Sequence, residues 1–160
     1  MIGEFLQDAL FAAIAAIGFA AISNPPRNAY WCCALIAAAG HSARFLLMHD
    51  ALLGMHIVGA STIAAFIIGV LAVALSPVVR MPAETCLFPS LLPMIPGIYA
   101  YKTFGGLVMC LSYGGQGEFD HYFFLFASNG LTCLFILLGM VVGGTIPIFL
   151  LKNISFRATR

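Results

Sequence analysis

Five apolar runs fill almost the whole chain, and they leave it one kind of fold. They cover about 5–23, 28–48, 53–77, 87–113 and 119–151. Each is long enough for a membrane span, which needs roughly 20 apolar residues. A backbone in lipid finds no water, so it must satisfy its own N–H and C=O groups, and a helix does that within one segment. The expectation is an all-α integral membrane protein with five transmembrane helices, in a single membrane domain of residues 1–160. Charge content agrees: 8% of residues are charged, where soluble domains carry about 25%. No sizeable soluble domain fits beside the runs, and no basic block is offered to nucleic acid. The lipid bilayer is the partner that composition requires.

Punctuation sets the boundaries. Pro25 and Pro26 stop the first span, and Pro77 with Pro82 is expected to end the third. The first run has Glu4 and Asp8 where a signal peptide would be basic, so it reads as a retained helix. The fifth carries Gly143, Gly144 and Pro147 and is expected to kink or outrun the hydrocarbon. With the N-terminus outside, the inner segments hold Arg27, Arg80, Lys152, Arg157 and Arg160. The outer ones hold Glu4, Asp8, Asp50, Glu118 and Asp120, with no Lys or Arg. That sorting predicts an N-out/C-in topology. Small residues spaced four apart, Ala65 with Gly69 and Gly139 with Gly143, suit close helix contacts. Packing within the chain is the preferred reading of these pairs, and a homo-oligomer interface is the other. The five cysteines form no CxxC pair and read as inert thiols, with no metal or cofactor implied.

The fourth span is where a site is expected. Pro93 and Pro96 each remove a backbone donor and crowd the preceding turn, and Gly97 opens conformations closed to other residues. The helix is predicted to unwind over Pro93–Gly97 and restart with Pro96 as its first residue. The N–H groups of Gly97, Ile98 and Tyr99 would then sit free at a positive helix end, where anions bind. Transporters with discontinuous helices hold a substrate carboxylate in this way. Beyond the break, Tyr99, Lys102, Thr103, Gly106, Cys110 and Tyr113 share a stripe predicted to line a cavity. A lysine at a helix centre costs about 2.5–3.5 kcal/mol on insertion scales, so Lys102 needs a reason. It either faces an anionic substrate, the preferred reading, or holds a carbonyl that the prolines release.

Other polar side chains are fewer. Ala34, Ala37, Ala38, His41 and Arg44 share a stripe of the second span. Arg44 lies about a turn from the outer end, where snorkelling accounts for it. His41 is deeper and has two readings: a proton relay, because imidazole titrates near neutral pH, or an interhelical hydrogen bond, which is preferred. In the fifth span His121, Ser128, Thr132 and Gly139 share a face with Asn129 beside it, to coordinate substrate or to bridge helices. No acid is expected deep in a span. That argues against a carboxylate relay and against aspartate-bound metal. With no nucleophile–base pair and no phosphate loop, the chain does not read as an enzyme.

Three stretches together resemble the threonine/serine exporter family. Gly18-Phe19-Ala20-Ala21-Ile22-Ser23-Asn24-Pro25-Pro26-Arg27 is similar to the turn after that family's first helix. Phe88-Pro89-Ser90-Leu91-Leu92-Pro93-Met94-Ile95-Pro96-Gly97 resembles its Pro-x-x-Pro-Gly signature. Gly40-His41-Ser42-Ala43-Arg44 resembles the end of its second helix. The matching positions are Asn24, Pro25, Pro93, Pro96 and Gly97; Lys102 is not among them. The family has single-chain and split members, and this chain resembles the small all-membrane subunit of the split form. The resemblance implies a multi-pass protein of the bacterial inner membrane. It would export small amino acids, threonine and serine, or dicarboxylates, with a larger membrane subunit of the same family. An oppositely inserted partner would complete an inverted repeat. The alternatives are a non-transporting assembly subunit and a self-sufficient homo-oligomeric channel.

Overall fold

The computed structural model describes residues 2–49, 53–113 and 117–155. Asp50, Arg157 and Arg160, three of the charges used to orient the chain, lie outside the described residues. In chain order the helices are α1 (Ile2–Ser23), α2 (Arg27–Met48), α3 (Ile57–Val79), α4 (Ala83–Leu91), α5 (Gly97–Tyr113), α6 (Phe119–Leu150) and the short α7 (Lys152–Ser155). One tight 3-10 turn, Leu92–Met94, extends α4. Among the described residues there is no strand, and the fold is all-α. Also among them, α1, α2, α3 and α6 are each long and apolar enough to cross a membrane, and α4 with α5 makes a fifth span if the broken pair is counted as one.

The first boundary forms as its residues dictate. Asn24 takes a left-handed backbone at φ 46°, which asparagine tolerates, and its N–H returns to the Ala21 carbonyl at 3.2 Å. Pro25 and Pro26 have no N–H to continue α1, and α2 starts directly after Pro26. The third span departs from expectation at both ends. It begins at Ile57, where His56 Nδ1 accepts the Val58 N–H at 3.4 Å. It runs through Pro77 to Val79 and stops at Arg80, whose backbone is left-handed at φ 57°. Pro77 cannot donate to the Val73 carbonyl, and the Ser76 hydroxyl donates to that carbonyl instead, at 2.9 Å. Pro89 inside α4 is accommodated similarly: the carbonyl it deprives, Thr85, receives the Cys33 thiol at 3.9 Å. The fourth span therefore starts at Ala83, earlier than the expected 87.

The chain divides into two compact units, Met1–Met94 with Gly139–Arg160 and Ile95–Leu138. The first packs on small residues. Ala12, Ala16 and Ala20 of α1, Ala29 and Ala37 of α2, and Ala60, Ala64 and Ala72 of α3 are all buried. Gly139 and Gly143 of α6 lie against Thr62 of α3 so closely that a Cβ would collide with its hydroxyl or its carbonyl. That small pair is therefore used inside the chain, the preferred of its two readings. In the second unit α5 meets the first half of α6 at Gly106, where a Cβ would sit 2.8 Å from the Phe126 nitrogen. The Cys110 thiol reaches the Phe119 carbonyl at 4.0 Å.

Candidate functional site

The break in the fourth span has two sides. Residues 83–94 rise roughly 18 Å, about half of a ~30 Å hydrocarbon layer, before the helix is interrupted. Pro93 sits in the 3-10 turn. The chain resumes as α5 at Gly97, one residue later than expected. The Pro96 carbonyl takes the first helical bond, from the Ala100 N–H at 3.1 Å, so Pro96 caps the helix instead of starting it. The Gly97 N–H is not free, as was expected of it: it donates back to the Ile95 carbonyl at 2.8 Å. Ile98 follows with its side chain exposed.

On the first unit's side, the interruption leaves the Met94 carbonyl without a helical donor. Arg44 Nη1 donates to it at 3.3 Å. This is the role that sequence offered to Lys102 as its structural alternative, and Arg44 fills it. Arg44 thus has a partner at the helix break that snorkelling does not supply. His41 and Arg44 are three residues apart on one face of α2, and Arg44 Nη2 lies 3.4 Å from His41 Nδ1. The same Nδ1 lies 3.2 Å from Asp8 Oδ2, on α1. Asp8 stands in the second turn of a helix long enough to span, and it is paired with the second helix.

Chemistry decides how the three share a proton. A carboxylate only accepts, so Nδ1 must carry the hydrogen that faces Asp8. Nδ1 then has no lone pair for Arg44 Nη2, which leaves that guanidinium nitrogen weakly engaged. His41 is 5% exposed, and its ring also faces the Pro93 backbone at the helix break. A cavity of about 310 Å³ opens beside the group, lined by Asp8, Arg44, Phe45, Met48 and His49. An acid and a guanidinium thus face one space. In a low-dielectric setting, charges so placed act far more strongly on a solute than they would in water.

The second unit holds several of the other predicted residues. Lys102, Ser128 and Asn129 line one cleft of about 540 Å³, together with Tyr101, Gly105 and Tyr122. The predicted stripe on α5 divides. Lys102 is exposed, and Gly106 lines the same cleft from the seam with α6, whereas Cys110 is buried. Tyr99 accepts the Thr103 hydroxyl on its carbonyl at 2.7 Å. Asn129 Nδ2 donates to Leu125 at 2.7 Å, and the Thr132 hydroxyl donates to Ser128 at 2.8 Å. Each of these bonds stays inside its own helix, which satisfies a polar side chain locally. A third cavity, about 490 Å³, sets Asn24 and Pro25 opposite Glu84, Thr85 and Pro89. Among the described residues no group of His, Cys, Asp and Glu could hold a metal ion.

Sequence reading put Asp8 at an edge and did not join it to Arg44. The available signal was two opposite charges inside apolar runs, each without a partner on its own helix.

The sequence model of a family described as "Threonine/Serine exporter, ThrE" matches residues 8–150. An uncharacterized protein of Haemophilus influenzae is 38% identical over 144 residues, which is 90% of this chain. The chain spans less than half of that relative, 46% of its length. No solved structure matches the chain.

Proposed function

The chain belongs to the threonine/serine exporter family, and we propose that it forms part of a carrier moving small carboxylate-bearing solutes out across the bacterial inner membrane. Threonine and serine, or dicarboxylates, are the solutes in view. The observation that carries this reading is Arg44 on the released Met94 carbonyl, beside Asp8 and an open cavity. Intramembrane charges are costly and mark solute pathways, and transporters build their sites at interrupted helices. Arg44 takes the place first given to Lys102, as the cation that meets the solute carboxylate. Lys102, Ser128 and Asn129 then line a separate approach on the second unit. Both units serve one membrane domain, with the N-terminus outside.

A larger membrane partner of the same family completes the pathway. Five spans are few to enclose one, and the Haemophilus influenzae relative carries a further stretch of more than equal length. An inverted pair of units would set the site at their interface.

Efflux of labelled amino acids and dicarboxylates from preloaded cells tests the reading, with the chain expressed alone and with its partner. Export only with both supports it. Export by the chain alone replaces it with a homo-oligomeric channel. A partner that exports unaided makes this chain an assembly subunit.

A further inference from the structure

We propose that the cleft between α5 and the first half of α6 is a docking groove for a transmembrane helix of the larger partner, with an aspartate or glutamate of that helix paired to Lys102. The proposal rests on the reading of this chain as one part of a two-part carrier. It names the surface and the chemistry through which the parts join.

Lys102 is exposed and has no hydrogen bond or ion pair among the described residues. In the second unit the Tyr113 and Tyr122 rings, 6.1 Å apart, mark the ends where α5 and α6 meet. From Lys102 to Tyr113, α5 rises about 16 Å, and from Phe119 to Asn129, α6 rises about 15 Å. Lys102 and Asn129, which line one cleft, therefore share a level about half of a ~30 Å hydrocarbon layer away from that end. A lysine stem is about 6 Å long and does not carry the ammonium back over that distance. The acids of this unit, Glu118 and Asp120, lie at that end: α6 rises about 13 Å between Asp120 and Asn129.

A cation at such a depth is costly until an opposite charge meets it. Shape narrows the occupant further. Gly105 lines the same cleft, one turn after Tyr101, and a Cβ there would meet nothing within 4 Å. Gly106 differs, because its missing Cβ is what admits α6. The bare backbone at Gly105 thus opens outward and lets another helix approach closely, as small residues do at membrane helix contacts. Met109, Phe124 and Leu125 give the groove apolar walls. Lipid chains would fill it but leave the ammonium unpaired. A helix with a carboxylate fills it and neutralises the charge, and that attraction is strong at low dielectric. The Haemophilus influenzae relative, of which this chain spans 46%, carries protein enough to supply such a helix. The docked helix then forms the open wall of the approach that Lys102, Ser128 and Asn129 line.

The test is co-purification, in mild detergent, of the tagged full chain with the co-expressed larger subunit. Parallel membranes are first treated with a lipid-soluble carbodiimide. That reagent activates a carboxylic acid in apolar surroundings: the carboxyl C–O bond breaks, an amide C–N bond forms with the Lys102 amine, and the reagent leaves as its urea with the elements of water. Wild type is expected to retain the larger subunit and to yield an amide between Lys102 and one of that subunit's acidic side chains, located by mass spectrometry. Lys102→Met is expected to retain at least about tenfold less of it, the loss of one charge-assisted hydrogen bond. Gly105→Leu, which fills the groove from within, is expected to do the same. Lys102→Arg keeps the charge and is expected to keep the association while losing the amide. Lys102→Met and Gly105→Leu are expected to unfold alone at no lower temperature than wild type, which separates lost docking from lost folding. Undiminished association in either of these two overturns the proposal, as does an amide from Lys102 to a second copy of this chain, or Lys102-dependent retention of anionic phospholipid in place of the larger subunit. Should a variant fail to accumulate, the wild-type complex decides, and an intact complex without the amide overturns the proposal. A wild-type chain that retains no larger subunit defeats the two-part reading itself, whereas association that holds in wild type and both variants defeats only the groove.

Discussion

Asp8, His41 and Arg44 depend on one another, so truncating any one leaves the others in deficit. Removing the guanidinium strands the Met94 carbonyl and takes a positive charge from the cavity that Asp8 lines. A hydrogen bond from a charged donor contributes about 1.5–3 kcal/mol, and a buried acceptor left bare costs about 1–3 kcal/mol. Arg44→Gln is therefore expected to lower the thermal unfolding midpoint of the chain in detergent, and Arg44→Lys to recover part of it through a single N–H contact. His41 tests its two readings. His41→Gln can keep a hydrogen bond to Asp8 without carrying a titrating proton. The interhelical-bond reading predicts that this variant exports with its pH profile unchanged through the range near pH 6.5 where imidazole titrates, and a proton relay predicts loss of export. The residues of this cluster were visible in sequence, but their grouping was not. Asp8 and His41 stand on different helices, and periodicity within one helix cannot report which faces of two helices meet. Lys102 drew attention because it follows a visible break. Arg44 reaches the same break from another helix.

Elements were legible where local chemistry settles them. Asn24-Pro25-Pro26 stops α1 because the left-handed turn and the missing donors act within a few residues. Pro77 misled because its cost is offset nearby: the Ser76 hydroxyl serves the Val73 carbonyl, and α3 continues. Ser76→Ala is expected to destabilise the last turns of α3 by about 1–3 kcal/mol, measured by unfolding in detergent, because a buried carbonyl loses its donor. The restart of α5 falls one residue after Pro96, since a proline there can be either a cap or a first residue, and only the Ala100 bond decides it. Helix seams make a contrast that sequence alone does not offer. At Gly143 a Cβ would collide with the Thr62 carbonyl, which is backbone and cannot swing aside, whereas at Gly105 nothing lies within 4 Å. Gly143→Ala is expected to cost about 1–3 kcal/mol through overpacking. Gly105→Ala is expected to be neutral or to stabilise by up to about 1 kcal/mol through helix propensity. Equal behaviour of the two in thermal unfolding would contradict this account of the α3–α6 seam.

At the scale of the whole molecule, the all-helical membrane character follows from the apolar runs alone, because lipid admits few other solutions. Topology is a matter of charge sorting. Reporter fusions in the α1–α2 turn and after Gly54 are expected to report the inside and the outside respectively; the reverse pattern would contradict N-out. How a pathway is completed depends on surfaces that apolar composition cannot distinguish from lipid-facing ones. Exposed Tyr101, Phe104 and Leu111 on α5 suit lipid and a partner helix equally. The central claim is narrower: Arg44, anchored at the helix break, holds the solute carboxylate. The direct measurement is efflux of labelled solute from preloaded cells containing the partner and equal amounts of wild-type chain or Arg44→Gln. A fall of at least about tenfold is predicted, as expected for one lost charge-assisted contact. Efflux at the wild-type rate in Arg44→Gln would contradict it.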